Sequence, residues 1–188
     1  MLLRIFNLIL SLFALTLLAL PFLIVWVLVK VTSPGPAIHW SKRIGKNNVI
    51  FLMPKFRTMR IDTPQLATHL LAQTGVNYIT PVGSFLRKTS LDELPQLLSV
   101  IKGDMNLVGP RPALFNQDDL KELRTKYDVH TIAPGVTGWA QINGRDELSI
   151  PDKVLYDKYY VDNRSIALDV KILFLTVYKV VARADVSH

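Results

Sequence analysis

From Ile5 to Val29 no charged residue interrupts the chain, and at about 1.5 Å per residue a helix over that run is long enough to cross the hydrocarbon core of a bilayer. A single transmembrane anchor is the plain reading. A secretory signal peptide fits less well, because the run is long and no small-residue cleavage site precedes Lys30. Pro21 complicates the anchor: in mid-helix it removes one backbone hydrogen bond and crowds the carbonyl of Leu17, which kinks the helix. Arg4 lies before the run, and Lys30, Lys42, Arg43, Lys46, Lys55, Arg57 and Arg60 follow it, so the basic bias places the downstream residues on the cytoplasmic side. If the helix turns back at Pro21, both ends lie on that side, with Arg4 and Lys30 snorkelling to one headgroup layer. Membrane helices tolerate proline, and the pattern alone favours spanning over re-entry.

After Val31 the pattern changes. Thr32-Ser33-Pro34-Gly35-Pro36 is a breaker cluster that ends the helix and begins an irregular or extended segment, which makes residues 1–31 a membrane element and 32–188 a separate domain. Val49 to Met53 has the composition of a short strand, followed by the basic stretch Lys55 to Arg60. Asp62 to Tyr78 is predicted as a helix ended by Gly75, Thr80 to Gly83 as a turn, and Ser84 to Thr89 as a short helical or irregular lead-in. Leu94 to Ile101 carries apolar residues at helical spacing and Gly103 caps it. Gly109-Pro110-Arg111-Pro112 excludes regular structure. Asp118 to Tyr127 is predicted as a polar surface helix, Ala133 to Arg145 as a glycine-punctuated loop, and Pro151 to Val161 and Asn163 to Arg183 as helices, the last amphipathic. The predicted class is mainly α with little β.

Composition narrows the partners. The 188 residues, 49% apolar, amount to one soluble domain plus one membrane element, and the net charge of +7 favours an anionic partner: lipid headgroups, nucleic acid or a phosphorylated small molecule. With no cysteine there is no disulfide framework, thiolate zinc site or thiol nucleophile. The four histidines, His39, His69, His130 and His188, lack metal-ligand spacing, and no phosphate-cradling glycine loop is present. Trp40 and Trp139 suit an interfacial belt.

The residues that can carry chemistry are in Ser90-Leu91-Asp92-Glu93-Leu94-Pro95-Gln96. Two adjacent carboxylates open a helix there. Ser90 and Glu93 have capping-box spacing, so a plain helix cap is one explanation. Pro95 argues against it, since a helix starting at Leu91 needs an N–H at residue 95 and proline has none. If the regular helix starts at Pro95, Asp92 and Glu93 lie just ahead of a helix N-terminus, where unpaired N–H groups attract phosphate. Adjacent carboxylates beside phosphate repel unless a divalent cation neutralises them, so this reading calls for Mg2+ held by Asp92 and Glu93, with one carboxylate acting as nucleophile. Arg87, Lys88, Lys55 and Arg57 are each more readily solvated surface charges than phosphate ligands. Arg111 differs: its Pro-Arg-Pro frame lowers the entropy lost in presenting a guanidinium.

The run SLDELPQLLSVIKGDMNLVGPRP from Ser90 to Pro112, KFRTM from Lys55 to Met59 and PGVTGWAQINGR from Pro134 to Arg145 resemble the bacterial sugar transferases, in their minimal monotopic phosphoglycosyl transferase form. Thr32 to Pro36 and Leu155 to Leu173 fit too, so the resemblance covers nearly the whole chain. It implies a re-entrant membrane helix broken at Pro21, with Leu20 where the family usually has serine and Asn7 where aspartate is frequent, and a compact cytosolic helical domain with interfacial amphipathic helices on the cytoplasmic face of the bacterial inner membrane. It implies ping-pong transfer of a phospho-sugar from a UDP-sugar to a polyprenol phosphate such as undecaprenyl phosphate, releasing UMP. Asp92 is then the nucleophile and Glu93 binds Mg2+ or assists proton transfer, while Lys55, Arg57, Arg87, Arg111 and Arg145 bind phosphates. Expected partners are the donor, the acceptor, membrane lipids and downstream glycosyltransferases, with no nucleic acid. Two other classes remain open: a non-enzymatic, membrane-tethered basic module that binds anionic lipid, and a glycosyltransferase that moves sugar alone and releases UDP.

Overall fold

The structure, a computed structural model, describes residues 2–64, 76–144 and 147–181. The apolar run forms two helices, α1 (Leu2–Leu17) and α2 (Ala19–Thr32), bent by 63° at a break on Leu18. The Leu18 N–H still bonds the Ala14 carbonyl and the Phe22 N–H bonds Leu18, so the ladder is missing the bond from residue 21 to Leu17 that proline cannot make. No single helix is long and apolar enough to cross a membrane; the bent pair qualifies only together. One stripe of α2, Val25 and Val29, is buried, whereas Leu20, Leu23, Ile24, Trp26, Val27, Leu28 and Val31 are exposed, as are Ile5, Ile9, Leu12 and Phe13 on α1.

The segment after the breaker cluster is a strand, β1 (Ile38–Ile44), paired antiparallel with β2 (Ile50–Phe56). Asn47 and Asn48, both at positive φ, turn the chain between them, and the register sets Lys55 opposite His39. The expected strand at Val49 to Met53 is thus present and longer, with a partner that the pattern did not show. Most of the expected helix from Asp62 to Tyr78, with Gly75, lies outside the described residues; residues 76–78 are not helical.

Thr80 to Gly83, expected as a turn, instead starts helix α3 (Pro81–Lys88). Thr80 caps it, its hydroxyl accepting from the Gly83 N–H at 2.9 Å, and Pro81 occupies the first turn. Helix α4 (Gln96–Lys102) ends at Gly103 with φ +104°, as its capping role requires. A three-residue strand, β3 (Asn106–Val108), follows and pairs in parallel with β4 (Gly135–Thr137), so the supposed loop from Ala133 contains both β4 and the single turn α6 (Trp139–Ile142). Helices α5 (Asp118–Lys126), α7 (Ile150–Asp162) and α8 (Ile166–Val181) match the expected helical segments.

The main core joins Met53 of β2, Leu97 and Val100 of α4, Leu107 and Val108 of β3, Ile142, Tyr160 and Ile172. A second cluster joins Val25, Val29, Phe56 and Leu86, packing α2 against β2 and α3. Helix α1 is fastened to the domain by polar contacts. Its Arg4, expected at the headgroups, instead donates to the carbonyls of Val100 and Ile101 at the C-terminus of α4, where a cation complements unpaired acceptors. Asn7 is fully buried, its Nδ2 donating to the Leu3 carbonyl while its Oδ1 accepts from the Leu107 N–H of β3.

Candidate active site

Three local devices bring the cations and carboxylates together. The first is the reversal after α3. Ser90 adopts a left-handed conformation (φ 56°), and Leu91 to Glu93 form a short 3-10 turn before α4 begins. The Ser90 hydroxyl makes no capping hydrogen bond, so the capping-box explanation of the acidic pair fails. Pro95 is the N-cap of α4, as its missing N–H requires, and the carboxylates lie ahead of the helix.

The second device fixes Arg111. The Gly109 N–H bonds the Thr137 carbonyl and the Gly135 N–H bonds Pro110, so β4 holds the backbone before it. A Cβ on Gly135 would lie 2.1 Å from the Gly109 nitrogen, which leaves glycine as the residue that permits this approach. Beyond it, Arg124 Nη1 donates to the Arg111 carbonyl at 2.7 Å and Arg43 Nη1 to the Pro112 carbonyl at 3.2 Å. Arg124 is itself held in a buried pair with Asp157, through Nε at 3.0 Å and Nη2 at 2.6 Å.

The third device is the hairpin, which presents Lys55 from β2. Lys55 Nζ and Arg111 Nη2 both donate to Glu93 Oε1 at 2.8 Å. Arg87, in the last turn of α3, has its Nε on the Thr58 hydroxyl at 2.9 Å, and Gly83 packs so closely on the Thr58 carbonyl that a Cβ there would lie 2.0 Å away.

The two carboxylates differ in electrostatic state. Burial pushes both up; for Glu93, the charges and hydrogen bonds of Arg111 and Lys55 outweigh it and hold the group well below the usual carboxylate range. For Asp92 burial prevails, aided by Glu93 and opposed by Lys55, Arg87 and Arg111, and its pKa is raised. Burial also lowers Lys55, against the pull of Glu93. Asp92 is 8% exposed and makes no hydrogen bond among the described residues, yet its oxygens are not among the sealed unpartnered atoms, so they reach solvent. An ionisable group held among cations with no partner of its own is available to a reactant.

Of the expected site residues, Asp92, Glu93, Lys55, Arg87 and Arg111 converge. Arg57 does not join them: its guanidinium donates to the carbonyls of Pro34 and Ser33, the latter at 2.7 Å, tying the end of α2 to the domain. Arg145 lies outside the described residues. Lys55 and Arg111 balance the charge of Glu93 from within the chain. Among the described residues no three His, Cys, Asp or Glu side chains cluster, although magnesium commonly takes one or two carboxylates with substrate phosphates and water. Asp92 and the second oxygen of Glu93 are donors of that kind. Arg43 was missed as a site residue, because nothing in the sequence separates it from the other basic residues after the membrane run; in the fold its guanidinium is close enough to Arg111 and Glu93 for both to shift its pKa.

Comparison with known proteins identifies the family. The family model described as "Bacterial sugar transferase" matches residues 1–183. The undecaprenyl-phosphate galactose phosphotransferase of Salmonella typhimurium is 39% identical over 182 residues, covering 88% of this chain and 38% of that protein. The UDP-glucose:undecaprenyl-phosphate glucose-1-phosphate transferase of Escherichia coli is 42% identical over 159 residues, covering 80% of this chain and 34% of its own. An uncharacterized sugar transferase of Bacillus subtilis, EpsL, is 40% identical over 187 residues, covering 98% of this chain and 90% of its own. The chain thus spans little more than a third of the first two relatives and nearly all of the third.

Proposed function

The chain belongs to the bacterial sugar transferase family, and from that premise we propose that it moves a sugar phosphate from a UDP-sugar to undecaprenyl phosphate, releasing UMP. The observation that carries the reading is the division of labour in the acidic pair: Glu93 is locked by two cations while Asp92, among the same cations, keeps its carboxylate unbonded.

In this mechanism an Asp92 oxygen attacks the sugar-linked phosphorus, and the bond from that phosphorus to the bridging oxygen breaks. The electron pair leaves with UMP, and the aspartyl phospho-sugar remains. A phosphate oxygen of undecaprenyl phosphate then attacks the same phosphorus, and Asp92 departs as a carboxylate. Lys55, Arg87 and Arg111 offset the charge gathered on the phosphoryl oxygens, and they do so in a partly buried site where the effect is strong. Glu93, strongly acidic, is a poor proton acceptor; its part is to hold Lys55 and Arg111 in place. Asp92 and the free oxygen of Glu93 would hold Mg2+ together with the donor diphosphate, and the ion would supply further charge neutralisation there.

The acceptor is membrane-bound, and the N-terminal helices give a route to it. Helices of about 24 and 21 Å bent by 63° raise their junction about 12 Å above the line joining their far ends, roughly the depth of one leaflet. Both far ends are tied to the domain, by Arg4 at one and by Arg57 through Ser33 and Pro34 at the other. Exposed apolar side chains cover both helices. These features support a re-entrant element dipping into the cytoplasmic leaflet, with residues 32–188 on the bilayer surface.

The test is to mix the membrane-reconstituted chain with a panel of UDP-sugars and Mg2+, follow the leaving nucleotide, and weigh the intact protein. UMP release and a phospho-sugar adduct that both vanish in Asp92→Asn are expected. Full turnover by that variant, or UDP as the product, would overturn the assignment.

A further inference from the structure

Arg111 also walls a cavity of about 140 Å³ between β1, α5, α6 and α7. Among the described residues four cationic side chains line it, Arg43, Arg111, Arg124 and Lys153, against one carboxylate, Asp157, which Arg124 already engages with two nitrogens. The surplus of positive charge is felt inside the cluster. Arg43 is lowered to about 10, chiefly by burial and then by the charge of Arg111, with Glu93 opposing. An anion between these guanidiniums would relieve that repulsion. The opposite kind of vacancy is present as well. Gln141 donates its Nε2 to the Val136 carbonyl at 3.1 Å, while its Oε1 is sealed from solvent with no partner among the described residues, so a turn of this cavity-lining side chain would offer an acceptor to a donor from outside the chain.

Phosphoryl displacement runs in line, so the leaving group departs from the face of the phosphorus opposite the nucleophile. Arg111 stands between the two regions: its Nη2 holds Glu93, next to Asp92, and the same residue walls the cavity. A leaving group that stays against Arg111 is therefore within reach of this cavity. Resting on the transferase reading above, we infer that the cavity seats the nucleoside 5′-monophosphate half of the donor. Its phosphate lies against Arg43, Arg111 and Lys153, and the imide N–H of the pyrimidine donates to Gln141 Oε1.

The probe is UMP, titrated calorimetrically into the full chain in lipid nanodiscs, with CMP as the comparison because cytosine lacks that imide N–H. Lys153→Met should weaken UMP about tenfold, and Lys153→Arg should restore most of it. Gln141→Leu should weaken UMP and erase its preference over CMP. At saturating UDP-sugar Lys153→Met should still form the Asp92 adduct, which also shows that the variant is folded. Adduct-competent variants that bind UMP as the parent does, or a parent chain that forms the adduct but shows no UMP binding, would overturn the cavity assignment alone. A parent chain that binds UMP at the cavity, sensitively to both substitutions, yet never forms an adduct would uphold the site and sink the transferase reading.

Discussion

The Asn7 carboxamide oxygen accepts a hydrogen bond from the Leu107 backbone N–H at 2.6 Å, joining a helix of the apolar N-terminal segment to a strand 100 residues away. Leu107 leads through Gly109 and Pro110 into Arg111, so the contact connects the apolar N-terminal helices to the backbone that presents a guanidinium to Glu93. Asn7→Leu removes that acceptor and leaves a buried N–H unpaired, a loss of about 1–3 kcal/mol. Chemical denaturation of the purified chain in detergent checks it; an unchanged midpoint would show that the bond contributes nothing net.

The acidic pair predicts two opposed pH dependences. Glu93 has a lowered folded pKa, so its contribution to stability is present above its ordinary value of 4.5 and is lost as pH falls through the folded value. Asp92 has a raised one, so its contribution is present below 3.8 and is lost as pH rises through the folded value. Adduct formation needs the Asp92 carboxylate, and its acid limb should therefore lie above 3.8. Glu93→Gln removes an upward push and leaves the charges of Lys55 and Arg111 to act on Asp92 without that opposing carboxylate, which should move the limb to lower pH in single-turnover mass measurements. A limb that stays or rises contradicts this electrostatic picture.

Arg124 and Asp157 are 9% and 1% exposed. Arg124→Met strands a buried carboxylate and should cost about 3–5 kcal/mol, whereas the double replacement with Asp157→Leu should recover most of it. Thermal unfolding of the three proteins reads the difference, and equal losses in single and double variants would deny the coupling.

Pro21→Ala restores the N–H that can bond Leu17, and the bend at Leu18 should lessen. The chain has no cysteine, so one introduced near residue 2 reports topology without background. Protection from periplasmic reagents is expected with Pro21 in place, and labelling in the Pro21→Ala variant. Labelling of the Pro21 form would contradict re-entry.

Much of the fold was legible because its signals are local. The apolar run and its proline, the acidic pair ahead of Pro95, the Gly103 cap and the last two helices all follow from spacing or from backbone chemistry. The strands were harder. Asn106–Val108 and Gly135–Thr137 are three residues each, stabilised by pairing across the chain, and so short a run carries almost no pattern of its own. The start of α3 was readable, since Thr80-Pro81 is a cap followed by a first-turn proline; weighing only the breakers hid it. Among the basic residues sequence gives charge but not direction. Arg57 and Arg87 look equivalent as phosphate ligands, yet one clamps the carbonyls that follow α2 and the other lies close enough to Asp92 to act on its charge.

The hairpin turn at Asn47 and Asn48 has a reach that its surface position conceals. Side chains on a strand alternate faces residue by residue, and this turn, together with the buried Met53 and Phe56, sets how β2 is threaded against β1. One amino acid inserted or deleted there would slip the strand by a single notch, put Pro54 or Phe56 in the place of Lys55, and turn the ammonium away from the carboxylate it now anchors. A tip remote from the chemistry thus works as the indexing pin for the anion-handling groups.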